Sequence, residues 1–555
     1  MKKQTFETTV AGRKLIATFS DLTEQTNGSV ILQHGETMLL VTAVMNEHQT
    51  LSPHFSLSVE FSEKFRTADT TPSEEAVLSA CIIDRALRPL FDATMRHEIQ
   101  VVVTVLVTGE EDLDVLGVLG ASLALVVSDI PWNGPIGAVR IAKEKASGRI
   151  IINPTDSERY APKLEFEVLA CGNVGNINLI DVTATESSEA ELVDVFAAST
   201  VIHEALERFQ RDIVAAVGKT KKTFALPKTP AALKVYFAEH WERKLSQTLF
   251  SNQTGVAHLY GLRVDFLGGA AVALGVDFDK HHANTHFNDA LSTALNQGVT
   301  NKHLRPDGRA LDEIQPLFAQ AGGISPKLHG SGIFYLGGTH TLSELTLSES
   351  PTTFSEVVSK DGETEQLFKY QCYFPPFSIG KTKRTPNSNQ RLIGHQAFAK
   401  KAMQAVIPDQ KIFPYTIKLN SKILASNGSS VMGSVCASSL ALQDGGVPIT
   451  RPVADINIGR LKQHDKYVLL TDPQGPEGEY SDMDCTVAGT RVGVTAIEMT
   501  MKMEGVSVVT LAAALEKARL ARLHILEIIQ AEIAAPRKNI LPRAQGHHYG
   551  NRSTS

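Results

Sequence analysis

The chain has 555 residues, of which 43% are hydrophobic and 21% charged, and its formal net charge at pH 7 is −6. This composition is typical of a globular protein with more than one domain, and the negative charge argues against a protein that coats nucleic acid everywhere. No apolar run of about 18 residues and no secretory leader is recognisable, so we expect no membrane span. Five scattered cysteines indicate a reducing compartment, and we expect the cytoplasm.

Residues 1–218 alternate strand and helix patterns. VILQHGETMLLVTAVM has strand-like runs around a His-Gly turn, and EIQVVVTVLVTG at 98–109 is a β-branched run. SEEAVLSACIIDRALRPLF predicts a helix that begins after Ser73, because Ser is a preferred N-cap and two acidic residues follow it. VLGVLGASLALVVS predicts a second helix, and the stretch 187–218 predicts a third that ends at a glycine.

The rest of the chain divides into three further parts. Residues 219–300 contain amphipathic helix patterns without strand runs, which predicts a helical linker. Residues 301–540 repeat the mixed pattern and close on the long helix VVTLAAALEKARLARLHILEIIQAEIA. Residues 541–555 are polar and are predicted to be disordered.

Two segments of the first part occur again in the last. GASLALVVSDIPWNGPIGAVRI at 120–141 is similar to CASSLALQDGGVPITRPVADINI at 436–458, where Ala441 follows Ala124 by 317 residues. GSVILQHGET at 28–37 is similar to GSGIFYLGGT at 330–339, at an offset of 302. This repeat predicts two superimposable α/β units that pack on each other without forming one continuous sheet, and whose roles have diverged.

Specific motifs identify a resemblance. They are IIDRALRPLF (82–91), IPWNGPIGA (130–138), INPT (152–155), LRPDGRALDEI (304–314), YQCYFPPFSIGKT (370–382), RLIGHQAFAKKAMQAVIP (391–408), FPYTIKLNSKILASNGSSVMGSVCASSLALQDGGVPI (413–449) and SDMDCTVAGT (481–490). In this order, over about residues 1–540, the chain resembles the polynucleotide phosphorylase family.

The resemblance implies a fold and an activity. The fold class is α/β (α+β), with two ribonuclease PH-like domains of the ribosomal protein S5 domain 2-like class joined by an all-helical segment: residues 1–218, 219–300 and 301–540. The activity is 3′→5′ phosphorolysis of single-stranded RNA by a ring-like homotrimer, with inorganic phosphate as co-substrate, Mg²⁺ or Mn²⁺ as the ion, and nucleoside diphosphates as products. Most members carry KH and OB-type RNA-binding domains after this core, and none is recognisable in this sequence.

Ser429 and Ser430 follow an Asn-Gly turn and precede a helix-like run. By itself the pattern is more typical of a helix cap than of an anion site at a helix N-terminus. The resemblance favours phosphate binding, although Val431 stands where the family usually has a third Ser. It also implies that Arg391 and His395 contact phosphate or RNA, whereas by itself His395 would be interpreted as a packed core histidine.

Asp482 and Asp484 lie two residues apart in a strand-like segment, where a solvated strand end is the alternative interpretation. The resemblance implies that Asp484 ligates the metal ion and that Asp482 lies in the catalytic site. Gly478 and Thr486 stand where the family has a second Asp and a Lys. Mg²⁺ needs only one or two carboxylates besides water and phosphate. The candidate replacements flank the lost acid: Glu477 and Glu479.

Candidate RNA contacts are basic side chains that match or surround the family's motifs. They are Arg85, Arg88, Lys383, Arg384, Lys400 and Lys401. For Arg85 and Arg88 an ion pair with Asp84 is the alternative, and for the lysines a solvated surface. The family's aromatic and arginine entry loop is shortened here, and Phe65 and Arg66 are interpreted as a structural remnant.

Two functional hypotheses follow. The first is a phosphorolytic exoribonuclease of weak activity, which explains the retained acid, serines and histidine. The second is a catalytically inactive paralogue that keeps the trimeric ring and a structural or regulatory RNA-binding role. It explains the simultaneous loss of an acid, a Lys, a Ser, an Arg and the entry loop, because removing one member of a cooperating set can abolish most of the rate.

Overall fold

The computed structural model describes residues 3–50, 55–62, 72–160, 164–224, 229–348, 358–359, 362–363, 368–380, 382 and 390–540, without the side chains of 358–359, 362–363, 390 and 391. Three sets of sequence predictions lie outside the described residues: Lys383 and Arg384, the remnant loop at Phe65 and Arg66, and the tail 541–555.

The first part of the chain contains ten strands and four helices within the described residues. The strands are β1 (Lys3–Val10), β2 (Arg13–Ser20), β3 (Gly28–His34), β4 (Thr37–Gln49), β5 (Leu57–Ser62), β6 (His97–Val107), β7 (Gly137–Glu144), β8 (Ile150–Ile152), β9 (Leu164–Asn173) and β10 (Asn176–Ser187). The helices are α1 (Glu74–Leu87), α2 (Leu113–Val127), α3 (Asp156–Tyr160) and α4 (Glu189–Val217). The predictions that α1 begins after Ser73 and that α4 ends at Gly218 are confirmed, with the Ser73 side chain accepting a hydrogen bond from Ala76 N–H.

A helical segment and a second mixed part follow. The segment contains α5 (Ala231–His240), α6 (Glu242–Leu249), α7 (Ala257–Leu274) and α8 (Lys280–Lys302). The later strands are β11 (Leu317–Ala321), β12 (Gly330–Leu336), β13 (Thr339–Ser348), β14 (Val358–Ser359), β15 (Gly362–Glu363), β16 (Phe368–Tyr373), β17 (Thr416–Ala425), β18 (Ala454–Gln463), β19 (Lys466–Thr471), β20 (Met483–Gly489), β21 (Val494–Met501) and β22 (Val506–Ser507). The later helices are α9 (Gln390–Gln404), α10 (Ser430–Asp444), α11 (Pro476–Tyr480) and α12 (Val508–Glu532).

Each part of the repeat builds one sheet of its own, and the strand order of the second sheet is that of the first without β1. The first sheet runs β1-β2-β3-β4-β6-β5 and the second runs β11-β12-β13-β17-β16. In both sheets the last pair is parallel and the other pairs are antiparallel. The fold is therefore mixed α/β and built twice, as the sequence repeat predicts.

A third sheet joins the two parts. Its strands run β19-β18-β20-β21-β10-β9-β7-β8, with β22 beside β10, and the antiparallel pair β10–β21 crosses from one part to the other. The expectation that the units would not share a continuous sheet is therefore wrong. Antiparallel edge strands with matching hydrophobic faces close each other's open edges, and this pairing buries β10 and β21 beneath α4 and α12.

The registers of this shared sheet show which positions of the two halves are equivalent. Arg140 of β7 lies opposite Leu169 of β9, and Asn457 of β18 lies opposite Thr486 of β20. Each residue of the second pair follows its counterpart in the first pair by 317 residues, the offset of the sequence repeat. The first residues of α2 and α10 are separated by the same offset. A residue of the first half and the residue 317 positions later are therefore structurally equivalent.

The two repeated sequence segments pack on each other in each half. A Cβ at Gly28 would lie 2.1 Å from the Ala124 carbonyl oxygen, and a Cβ at Gly330 would lie 2.3 Å from that of Ala441. Only glycine permits this approach of a strand to the helix above it. The close contact sets the positions of α2 and α10, whose N-termini form the sites described below.

The helices α5–α8 form a separate hydrophobic cluster that also contacts β18 and β19. By length and composition alone, one described helix is apolar enough to cross a membrane: the span Ala257–Asp277, which includes α7, has a hydropathy of 1.4 and is 17% buried. Core helices of soluble proteins pass the same test, so this is weak evidence. The expected absence of a membrane span and the boundaries at 218 and 300 stay predictions.

Candidate active site

The N-terminus of α10 carries the predicted phosphate site. Ser429 is the N-cap residue, and its side chain makes no capping hydrogen bond to the first turn. The first backbone N–H groups of a helix have no partner within it and lie at the positive end of its dipole. Ser430 is buried, and its Oγ lies 3.5 Å from Nδ1 of His395 on α9. These groups form a pocket of neutral and positive donors that suits a phosphate.

Two further positions at this terminus were considered from the sequence: Arg391 as a predicted phosphate contact, and Val431 as the residue in place of a third Ser. Arg391 lies in the first turn of α9, but its side chain is outside the described part of the protein. Val431 packs in the hydrophobic cluster of the second half. A Ser at that position would bury its hydroxyl among apolar side chains, so the pocket can gain donors only from the backbone there.

In the first half, the equivalent helix terminus is closed by the chain itself. Asp112, the equivalent of Ser429, accepts hydrogen bonds from the N–H groups of Asp114 at 2.9 Å and Val115 at 3.2 Å. The guanidinium of Arg140 pairs with Asp112, with Asp114 and with Glu167. Asp112 thus puts a carboxylate where the second half leaves its helix terminus open.

Asp484 lies on β20 at the equivalent position to Glu167, and its side chain is exposed. Its Oδ1 accepts a short hydrogen bond from Nδ2 of Asn457, which also lies 3.2 Å from Oγ1 of Thr486. Asn457 therefore replaces the guanidinium of Arg140 by a neutral amide. Asp484 is therefore an exposed carboxylate with no ion pair among the described side chains, and its role as a metal ligand stays a prediction.

Two of the other predicted acids are held by arginines. Arg460 binds both oxygens of Asp482, at 2.8 and 2.6 Å. Arg305 binds both oxygens of Glu477, at 2.7 and 2.7 Å, and both partners are fully buried. Bidentate pairing uses both oxygens of each carboxylate. Glu477 as a metal ligand and Asp482 in the catalytic site stay predictions, and these arginine pairs argue against both.

The charge beside Asp484 comes from a lysine. Lys502, directly after β21, donates from Nζ to the carbonyl oxygens of Gly478 at 2.9 Å and of Glu479 at 2.8 Å. Burial lowers the pKa of Lys502, and the nearby charges of Asp484 and Glu479 oppose this effect. The ammonium group of Lys502 therefore lies against the backbone at Gly478, the position at which the resemblance implies a second Asp.

The residues present fit a divalent ion poorly, because an ammonium group lies among them. Mg²⁺ can be held by one or two carboxylates together with water and phosphate, and Asp484 supplies one of them. Of the acids predicted as metal ligands, Glu479 is the one besides Asp484 that has no arginine partner among the described side chains. The ammonium group of Lys502 donates a hydrogen bond to the backbone carbonyl oxygen of Glu479. Within the described ranges no group of three or more His, Cys, Asp or Glu side chains is suited to hold a metal ion.

Two of the predicted RNA contacts are engaged in ion pairs between the halves. Arg85 pairs with Glu498, and Lys401 binds Asp181 at 2.7 and 2.6 Å. The acids Asp181 and Glu498 are equivalent and lie opposite each other in the β10–β21 pair. Each basic residue thus reaches from its own half to the other, and its predicted RNA contact stays a prediction against which this ion pair argues.

Arg88 and Lys400 complete the predicted set. Arg88 binds Asp84 one helical turn earlier, at 2.8 and 2.5 Å, which is the alternative that the sequence left open. Lys400 is half-buried on α9 and has no ion pair among the described side chains. Of the predicted basic residues whose side chains are described, Lys400 is therefore the one left for an external phosphate.

Sequence reasoning missed the partners of these acids. Arg460, Arg305 and Asn457 were not singled out, although each lies in or beside a quoted motif. Lys502 was also missed, and here a signal existed. The alternation in AIEMTMK puts Glu498, Thr500 and Lys502 on one strand face, and Thr500 lies opposite Asp484.

Comparison with known proteins agrees with this duplicated arrangement. A family model described as "3' exoribonuclease family, domain 1" matches the chain twice, over residues 11–131 and 313–448. A protein of Streptococcus equi subsp. zooepidemicus (strain MGCS10565) named polyribonucleotide nucleotidyltransferase is 37% identical over 562 residues, which cover 98% of this chain and 78% of the relative. Proteins of the same name from Exiguobacterium sibiricum and Streptococcus thermophilus (strain ATCC BAA-491 / LMD-9) are 37% and 36% identical, and the matches cover 96% and 98% of this chain and 74% and 75% of those proteins.

Proposed function

The chain belongs to the polyribonucleotide nucleotidyltransferase family, and from that premise we propose that it is a 3′→5′ phosphorolytic exoribonuclease of weak activity. The observation that carries the proposal is the open N-terminus of α10. Ser429, Ser430 and His395 surround it, whereas the equivalent terminus of the first half is filled by Asp112. One phosphate site per chain is therefore expected, in the second half.

The reaction assigned to this site joins phosphate to the last nucleotide of an RNA. An oxygen of inorganic phosphate forms a bond to the phosphorus that links the terminal nucleotide to its neighbour. The bond from that phosphorus to the neighbour's 3′ oxygen breaks, and this oxygen takes up the proton that the attacking phosphate gives up. The products are one nucleoside diphosphate and an RNA shortened by one residue.

The side chains of the pocket have separate parts in this reaction. The N–H groups of the first turn of α10 and the serine hydroxyls hold the phosphate oxygens, because they are donors aimed at an anion. His395, within 3.5 Å of Ser430, is the candidate to move the proton between the attacking phosphate and the leaving oxygen. In the first half Asp112 and Glu167 share Arg140, so the equivalent Asp484 should lie near the N-terminus of α10, where we place the ribose-phosphate chain.

The alternative is an inactive paralogue, and a specific set of contacts favours it. Asp482, Glu477, Arg85 and Lys401 each have a charged partner from the same chain. Groups with such partners are removed from binding RNA or a metal ion. If the remaining groups are too few for turnover, the chain keeps phosphate and RNA binding without catalysis.

We also propose a ring-like homotrimer in the cytoplasm that binds single-stranded RNA weakly and with strong salt dependence. Lys400 would supply one phosphate contact, and Lys383 and Arg384 are further candidates. Few phosphate contacts without stacking residues give low affinity, and each one is weakened by salt because it releases a counterion. Light scattering should report three chains per particle at micromolar concentration, and a monomer would contradict the trimer.

The function is tested by incubating the full chain with oligo(A) and inorganic phosphate, with Mg²⁺, with Mn²⁺ and without either ion. Release of adenosine diphosphate is measured by chromatography. Ser430→Ala and Asp484→Asn should each lower the rate at least about tenfold, because each removes a hydrogen bond to a charged group and such a bond contributes about 1.5–3 kcal/mol. The control is Asp465→Asn, in the exposed turn between β18 and β19, which should leave the rate unchanged.

The outcomes separate the two hypotheses. Phosphate-dependent release that is lost in both site variants supports the enzyme. No release under any condition, in a trimer that binds phosphate, supports the inactive paralogue. A rate that neither variant changes would remove the α10 site from the mechanism.

A further inference from the structure

The strongest unexplained feature of the second-half site is the ammonium group of Lys502. Its Nζ lies between two carbonyl oxygens of α11, those of Gly478 and Glu479. These are among the last carbonyl groups of a short helix, which have no partner within it and lie at the negative end of its dipole. The ammonium is therefore held in place by the backbone.

The described arginines near the site are paired with acids, so the ammonium group of Lys502 is the positive charge that remains for a ligand. Asp482 is neutralised by Arg460, and Glu477 by Arg305. The charges of Asp484, Glu479 and Asp482 all act on Lys502, and of these three acids Asp484 and Glu479 have no ion pair among the described residues. A divalent ion placed between those two would be repelled by the ammonium.

The space left by the missing acid is open. The nearest atom to a Cβ built at Gly478 is the carbonyl oxygen of Pro473, at 4.0 Å. A carboxylate at this position would be accommodated, and it would compete with the carbonyl groups for the ammonium. Because Gly478 has no side chain, no carboxylate at this position competes with the carbonyl oxygens for the ammonium group of Lys502.

We propose that the Lys502 ammonium group supplies the positive charge beside Asp484 that a divalent ion would otherwise supply, so that phosphate and the 3′ end of an RNA bind this site without a metal ion. An ammonium has three N–H donors, and two of them are used by Gly478 and Glu479. The third has no partner among the described residues and is available to a phosphate oxygen. This inference rests on the proposed function, because it concerns the same site.

Metal binding is the first measurement. The full chain is titrated with Mn²⁺, and free Mn²⁺ is followed by electron paramagnetic resonance. The parent chain should show no stoichiometric site at micromolar Mn²⁺. The double variant Gly478→Asp with Lys502→Met should gain one, because it removes the ammonium and adds a carboxylate beside Asp484.

Ligand binding is the second measurement. Dissociation constants for inorganic phosphate and for oligo(A) are measured in EDTA and in Mg²⁺, and should agree within about twofold. Lys502→Met should weaken binding about tenfold in both buffers, and Lys502→Arg should keep most of the affinity, since it keeps the charge. The control is Lys466→Met, an exposed lysine of β19, which should change neither constant.

Several results would overturn the inference. They are stoichiometric Mn²⁺ binding by the parent chain, a loss of ligand affinity in EDTA of about tenfold or more, and no effect of Lys502→Met in a variant that unfolds at the parent temperature. A double variant that gains no Mn²⁺ would show that the ammonium is not what excludes the ion. Absence of adenosine diphosphate release in every buffer contradicts the proposed function alone, because none of these binding measurements needs turnover.

Discussion

The N-termini of α2 and α10 are equivalent by fold and by the 317-residue repeat, but they are filled differently. In the first half the Asp112 carboxylate binds the helix N–H groups, and Arg140 binds the carboxylate. In the second half the side chain of the N-cap residue Ser429 makes no hydrogen bond to the helix, and Asn457 stands in place of the arginine. One half therefore contains its own anion and counter-cation, and the other leaves a place for an anion from solution.

The difference teaches how a duplicated fold can divide its roles. The first-half cluster joins β7, β9 and α2 through a buried network that includes Glu167 and Arg159. Such a network fixes positions and excludes ligands. Among the described residues, the second half has no such network at the equivalent position. Its charged side chains are buried in pairs at other positions, for example Arg305 with Glu477.

Removing the central arginine of the first half should have the largest effect. Arg140→Met leaves Asp112 buried without its arginine and takes one partner from Asp114 and one from Glu167, which keeps Arg159. Breaking a buried pair costs about 3–5 kcal/mol. The matched variant Asn457→Met, at the equivalent position, should cost less than about 1.5 kcal/mol, the value of a neutral hydrogen bond. Urea denaturation midpoints measure both, and equal shifts would contradict the division between a structural and an open site.

Acid should weaken the first-half network next. Nearby Arg140 and Arg159 overcome the effect of burial and lower the pKa of Glu167 from 4.5 to about 2. A lowered folded-state pKa stabilises the protein above pH about 4.5, and this contribution is lost as the pH falls towards 2. It amounts to about 3 kcal/mol at neutral pH.

Glu167→Gln is the variant that tests this. The difference in unfolding free energy between the parent and this variant should be full at pH 7 and should shrink steadily between pH about 4.5 and 2. Thermal unfolding at a series of pH values measures it. A difference that stays constant down to pH 2 would mean that the charge of Glu167 is not what holds the network.

The smallest expected effect separates two adjacent lysines of α9. Lys401 binds Asp181 of the first half, whereas Lys400 has no ion pair among the described residues. Lys400→Ala should therefore lower the slope of log affinity against log salt for single-stranded RNA by about 1, with no change in stability. Lys401→Ala should leave this slope unchanged and lower stability by about 1 kcal/mol or less. The reverse pattern would assign ligand binding to the pair that joins the halves.

Local signals made several elements predictable from the sequence. The N-cap at Ser73 and the glycine after α4 fixed the ends of two helices, and the repeat identified equivalent positions. The Asn-Gly turn before Ser429 indicated the site at α10. These features depend on neighbouring residues or on comparing one segment with another, which a sequence displays directly.

The pairings could not be predicted, because their partners are distant in the chain. Arg305 and Glu477 are separated by 172 residues, and Arg460 and Asp482 by 22. A sequence shows that these acids exist but not which charge each of them meets. The β10–β21 contact is equally remote, and it joins strands of both halves in a third, shared sheet.

The most direct test converts the second-half terminus into a copy of the first. Ser429→Asp, in the full chain, places a carboxylate at the position equivalent to Asp112. Phosphate binding is measured by isothermal titration calorimetry in the parent and in this variant, with Ser439→Ala, deeper in α10, as the control. The parent should bind one phosphate per chain, and Ser429→Asp should bind none while unfolding at the same or a higher temperature, since the new carboxylate caps the helix. Two phosphates per parent chain, or unchanged binding in Ser429→Asp, would contradict the account.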